Sequence, residues 1–119
     1  MKNWREREAR NEARFRDQNE WIEAMDASFG SSPGSAVIAF VCECGDAECT
    51  LTIELTQAEY ESARSTANRF ILYPKHEGPD EVVVREARRF TLADKVEGCA
   101  LSVALETDPR SGRRSGKPS

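Results

Sequence analysis

The rhythm of apolar and polar positions changes several times along the chain, and each rhythm predicts an element. Residues 3–27, NWREREARNEARFRDQNEWIEAMDA, hold no Pro or Gly and are rich in Ala, Arg and Glu. These are strong helix formers, so one long helix is predicted. Trp4, Glu8, Asn11, Phe15, Gln18, Ile22, Met25 and Phe29 recur four and three apart, as in a heptad seam. Glu8 and Asn11 dilute its N-terminal half. Two readings stay open. Residues 15–29 pack on the domain while residues 1–14 project into solvent, or the helix docks on a partner or on its own copy as a coiled coil. A polar seam residue such as Asn11 or Gln18 can set register in the second case. Pairs such as Glu12 and Arg16 support the helix along its side.

GSSPGS (30–35) ends this helix as a short linker: Gly30 suits the first position past a helix, and Pro33-Gly34 blocks continuation. AVIAFVCEC (36–44) is nearly continuous in β-favouring residues. CTLTIEL (49–55) alternates Leu51, Ile53 and Leu55 against Thr50, Thr52 and Glu54. With GDAE between them the two runs predict a β-hairpin whose turn carries cysteines. Thr56 and Glu59 fit a capping box, so a helix starts there and runs to about Ala67, burying Tyr60, Ala63 and Ala67. RFILYP (69–74) is a strand stopped by Pro74, and KHEGPD (75–80) a loop. Residues 81–97 read as a second hairpin, Val82–Arg85 and Arg89–Val96 around Glu86–Arg88, with a short helix as the alternative for its first part. Phe40, Phe70, Tyr73 and Phe90 are core candidates. Residues 107–119, TDPRSGRRSGKPS, read as a disordered polar tail.

The pattern thus gives an α+β class: a long N-terminal helix (1–29), a linker (30–35), an α+β domain (36–106) with a small antiparallel sheet and one packed helix, and a tail (107–119). At 119 residues, 39% hydrophobic and 32% charged, the core is small. Domains of this kind often need a staple. Residues 1–20 are densely charged, with no apolar stretch of a signal peptide. No run approaches the ~18 apolar residues of a membrane span. The expected location is cytoplasmic, where tight cysteine clusters serve metal or redox chemistry more than disulfides.

Three of the four cysteines lie in CECGDAEC (42–49). Cys42 and Cys44, two apart, project to one face of an ideal strand, and the turn returns Cys49 towards them. Three Cys with one His is a standard tetrahedral zinc set. His76, the only His, follows a strand that would have to end beside the cysteine hairpin, and is the expected fourth ligand. Cys99 competes for that place, but in CALSVAL it reads as a small buried apolar residue. The expected site is therefore Cys42, Cys44, Cys49 and His76 with Zn2+. An iron–sulfur centre on the same ligands stays open. Glu43, Glu48 and Glu77 are the nearby acids and read as solvated surface groups. With no group placed as a base, no enzyme is expected. A Cys–His76 nucleophile would leave the clustering of three cysteines unexplained.

FVCECGDAECTLTIELTQAEYESAR followed by RFILYPKHEGPDEVVV resembles a group of small, mostly actinobacterial proteins of unassigned function, over about residues 5–97. Members share C-x-C-x4-C, a T-x-x-E-Y helix start and a P-x-H-E element. The resemblance implies that Cys42, Cys44, Cys49 and His76 belong together. Where members carry a small residue before the His, this chain has Lys75.

The net charge is −4, and residues 30–55 hold four acids and no Lys or Arg. Such a surface does not grip phosphate. The expected function is a non-enzymatic protein-interaction or regulatory module. Its contact is the N-terminal helix, whose residues 1–14 offer the core little apolar area, with a homodimer as the second form of that contact. The alternatives are a nucleic-acid-associated transcriptional regulator using the basic tail (Arg110, Arg113, Arg114, Lys117) and a zinc/thiol redox sensor.

Overall fold

The computed structural model describes residues 4–28, 37–78 and 81–111. The predicted linker 30–35 and Phe29 lie outside the described residues, as does the end of the tail from 112.

Helix α1 (Trp4–Ser28) is followed by strands β1 (Val37–Val41) and β2 (Thr52–Thr56), which pair antiparallel with Phe40 opposite Ile53. Helix α2 (Gln57–Arg64) starts at the predicted capping box: Thr56 Oγ1 accepts from Glu59 N at 3.1 Å and Glu59 Oε1 from Thr56 N at 2.8 Å. Strands β3 (Arg69–Leu72), β4 (Glu81–Glu86) and β5 (Thr91–Lys95) form a second antiparallel sheet ordered β3-β5-β4, with a bulge between Val83 and Arg85. Helix α3 (Gly98–Glu106) completes the order. The single predicted sheet is thus two sheets. They meet where the chain beyond β1 runs along β3: Glu43 N donates to the Ile71 carbonyl at 2.9 Å, and the Glu43 carboxylate accepts from Ile71 N at 3.0 Å. A side-chain oxygen there replaces a ladder carbonyl.

The core forms where the sheets and α2 converge, around Phe40, Ile53, Leu55, Tyr60, Ile71 and Phe90, with the Phe40 and Tyr60 rings stacked at 4.3 Å. Tyr73, expected in the core, is 39% exposed. Helix α3 was not anticipated: its run GCALSVALE is apolar on all sides and its start carries no side-chain cap, so neither periodicity nor capping marks it. Among the described residues no helix is long and apolar enough to cross a membrane.

The N-terminal helix departs most from expectation. Residues 4–14 do not project: Ala9, Glu12 and Ala13 are buried, and Arg16 and Asn19 continue that stripe. The seam residues Trp4 and Gln18 are exposed, and Glu8, Asn11, Phe15, Ile22 and Met25 are half-buried at its rim. The buried stripe is largely polar and docks by directed bonds. Lys95 Nζ lies 2.8 Å from both Glu12 and Glu81. Arg16 donates to the carbonyls of Ala67 (2.6 Å) and Ala104 (2.7 Å) and stacks over Phe70. Asn19 closes two bonds with the Val41 backbone and one with Glu43. A helix read for an apolar stripe hides a stripe built this way.

The expected tail also docks at its start. Arg110 is buried and pairs with Glu20 (2.9 Å), Glu23 (3.3 Å) and Glu61 (2.8 Å), tying the chain after α3 to α1 and α2.

Candidate metal centre

The cysteine segment is a turn held by its own backbone. Cys42 N donates to the Leu51 carbonyl at 3.2 Å, one step beyond the β1–β2 ladder. Cys49 N donates to the Asp46 carbonyl at 3.0 Å, and Asp46 Oδ1 accepts from Glu48 N at 2.9 Å. Asp favours the first position of such a turn because its side chain caps it. His76 comes from a separate turn after β3, closed by His76 N donating to Tyr73 O at 3.0 Å. Pro74 and Lys75 occupy its centre, and Lys75 has φ 71°. Pro followed by a left-handed residue is the mark of a type II turn, where glycine is favoured. Lys75 holds this position under strain.

These two turns bring the four predicted ligands together. The Sγ atoms of Cys42, Cys44 and Cys49 and a ring nitrogen of His76 all lie within 4.8 Å of one another and can hold a metal ion. His76 Nδ1 is 3.5 Å from Cys42 Sγ and 3.9 Å from Cys49 Sγ. Zn–S and Zn–N bonds of usual length give tetrahedral S···N edges of ~3.6 Å and S···S edges of ~3.8 Å. Cys42 and Cys44 are buried and Cys49 half-buried. Tyr73 N donates to Cys42 Sγ at 3.2 Å, a bond that strengthens with thiolate character. Cys44 is pushed down to about 5, first by its hydrogen bond with the Cys42 thiol, while Cys42, which keeps the shared proton, is raised.

No family model, curated protein or solved structure matches the chain.

Cys99, the competing ligand, is exposed in the first turn of α3 and is neither buried nor part of the cluster. Glu43, read as a solvated acid, is wholly buried. It receives both Arg64 terminal nitrogens at 2.9 and 3.1 Å as well as Asn19 and Ile71 N. Its side chain faces away from Cys42 and Cys44 by strand alternation and anchors the ligand segment from behind. Glu48 and Glu77 are exposed as expected. Sequence reasoning missed Asn11 and Glu8, which contact the loop at Gly45. The one available signal was a glycine directly after a ligand cysteine. Beside Cys44 and His76 lies a cavity of about 230 Å³ whose far wall carries Glu8, Glu12, Glu81 and Lys95.

Proposed function

We propose that this chain is a small zinc-binding, non-enzymatic module for protein interaction or regulation, with one Zn2+ in a structural site of Cys42, Cys44, Cys49 and His76. The observation that carries this is the convergence of three thiol sulfurs and one imidazole nitrogen from two turns to within 4.8 Å of one another. Thiolate and imidazole sets of this geometry suit zinc. A two-iron cluster divides its ligands between two metals and needs them spread more widely than 4.8 Å. Four protein ligands leave no open position for a reacting water, which favours a structural role.

Elemental analysis of protein purified without added metal should give about one zinc per chain. His76→Ala should lose zinc to a chelator far faster than Cys99→Ser. Iron with visible colour, no metal, or the reverse ranking of the two variants would overturn the assignment.

The partner surface moves with the structure. Residues 4–14 serve the fold, so the contact falls on the outer face of α1, where Trp4 (50%) and Trp21 (62%) stand exposed. Exposed tryptophans are frequent anchors of interfaces. Trp21→Ala should abolish capture of a native partner, or self-association in sedimentation, while leaving stability unchanged. The half-buried Cys49 favours a second reading as a zinc/thiol redox sensor, tested by zinc release on peroxide treatment. The nucleic-acid reading loses Arg110, which is committed to three carboxylates.

A further inference from the structure

The metal ligands and the N-terminal helix meet at Gly45, the residue after Cys44. Asn11 Nδ2 donates to the Gly45 carbonyl at 3.1 Å, and the Glu8 side chain fills the space that a Cβ at position 45 would need. Two residues earlier, Asn19 holds Glu43 at 2.7 Å. Helix α1 therefore grips the ligand segment on both sides of Cys44. Its N-terminal half is otherwise held by packing against α3 and by an exposed ion pair of Arg10 with Glu106 at 3.5 Å. Ala9 and Ala13 are its buried apolar residues, and Glu12 pairs with Lys95 on the wall of the cavity that Cys44 and His76 also line. Docking by hydrogen bonds and buried ion pairs depends on partners standing in fixed positions, and buried pairs add little net stability of their own. Gly45 lies between Cys44 and the Asp46–Cys49 turn, so it borders two of the candidate ligands directly.

Resting on the metal centre proposed above, we infer that metal loading and docking of the N-terminal half of α1 are coupled. The loaded loop presents Gly45 as the seat for Glu8 and Asn11. The metal-free loop does not, and residues 4–14 come away from the domain. Coupling between two binding events is reciprocal, so the docked helix strengthens metal binding by the same factor.

Hydrogen exchange on the full chain tests this. With zinc bound, amides of residues 4–14 should be protected. After chelation they should exchange at least ~10-fold faster, a readily resolved local opening, while β3 and β5 change less. Gly45→Ala tests the same link without removing metal. Gly45 is not in the left-handed region, so the backbone accepts alanine and Glu8 is the obstacle. Zinc-bound Gly45→Ala, with all four ligands intact, should expose residues 4–14 and lose roughly 5- to 150-fold in zinc affinity by chelator competition. Combining it with Glu8→Ala should restore both. If chelation unfolds the whole chain, the Gly45→Ala pair of measurements decides alone. Unchanged protection of residues 4–14 in a chain that binds one zinc would overturn the coupling, as would an undocked helix at unchanged zinc affinity. A chain that binds no zinc overturns the metal centre itself, a separate and recognisable result.

Discussion

Lys75 stands in left-handed backbone one residue before His76, a candidate metal ligand. That conformation costs a side-chain-bearing residue about 1–2 kcal/mol, against about 0.5–1 kcal/mol of extra chain entropy for glycine. Lys75→Gly should therefore leave stability unchanged or raise it by up to about 1 kcal/mol in urea unfolding, with zinc retained. A loss would mean the lysine side chain contributes a contact of its own. Glu43 is the opposite case. It and Arg64 are 0% and 1% exposed, and Glu43 serves three donor groups. Glu43→Ala strands a buried guanidinium and should cost about 3–5 kcal/mol. Glu43→Gln keeps an acceptor and should cost clearly less. Equal losses would show that hydrogen-bond geometry matters little beside charge. Neither role was readable in sequence. Lys75 stood out only as a departure from an expected small residue, with nothing local to show its left-handed backbone, and Glu43 between two cysteines looked like one more surface acid, because burial of a charge is decided by where its counter-ion arrives.

Among elements, α1 carries a pH dependence. Burial pushes Glu12 up to about 7 against the pull of Lys95. Burial also works against the Lys95 ammonium, but Glu12 and Glu81 hold it above the ordinary lysine value, so it stays charged across this range. An unfolded Glu titrates near 4.5. The folded form is thus favoured while Glu12 keeps its proton: that stabilisation is complete below about pH 4.5 and is lost as pH rises through about 7. With zinc saturating, wild type should lose up to about 3 kcal/mol relative to Glu12→Gln between pH 5 and pH 8, read from urea midpoints. Parallel curves for the two proteins would refute the shift. The helix itself was legible to within a residue at each end, since Ala, Arg and Glu without Pro or Gly leave the backbone little choice. Its buried face was not, because Glu12, Arg16 and Asn19 are inward residues only in the presence of Lys95, Ala67, Ala104 and Val41.

For the whole molecule, two small sheets and a thin core would leave a metal bound at the proposed site a large share of stability. A ligand present at about 1,000 times its dissociation constant adds about 4 kcal/mol. Chelation should accordingly lower the thermal midpoint by about 15 °C or more in a domain of this size. A midpoint insensitive to chelator would mean that the core alone holds the fold. Local rules determined much here. Strand alternation, the Thr56–Glu59 box, the Asp46 turn and the spacing of Cys42, Cys44 and Cys49 act within a few residues, so the sequence alone set them. His76 was reachable because the chain offers a single histidine, though its arrival beside the cysteines depended on β3 running along the Cys42–Cys44 segment. Tertiary structure alone decided the rest: the division into two sheets, the anchoring of Glu43, the docking of Arg110 and the seat of α1 on Gly45. Each is a polar contact between segments about 20 to 90 residues apart. Such contacts leave no periodic trace, since a charged or amide side chain has the same local preferences whether it meets water or a buried partner.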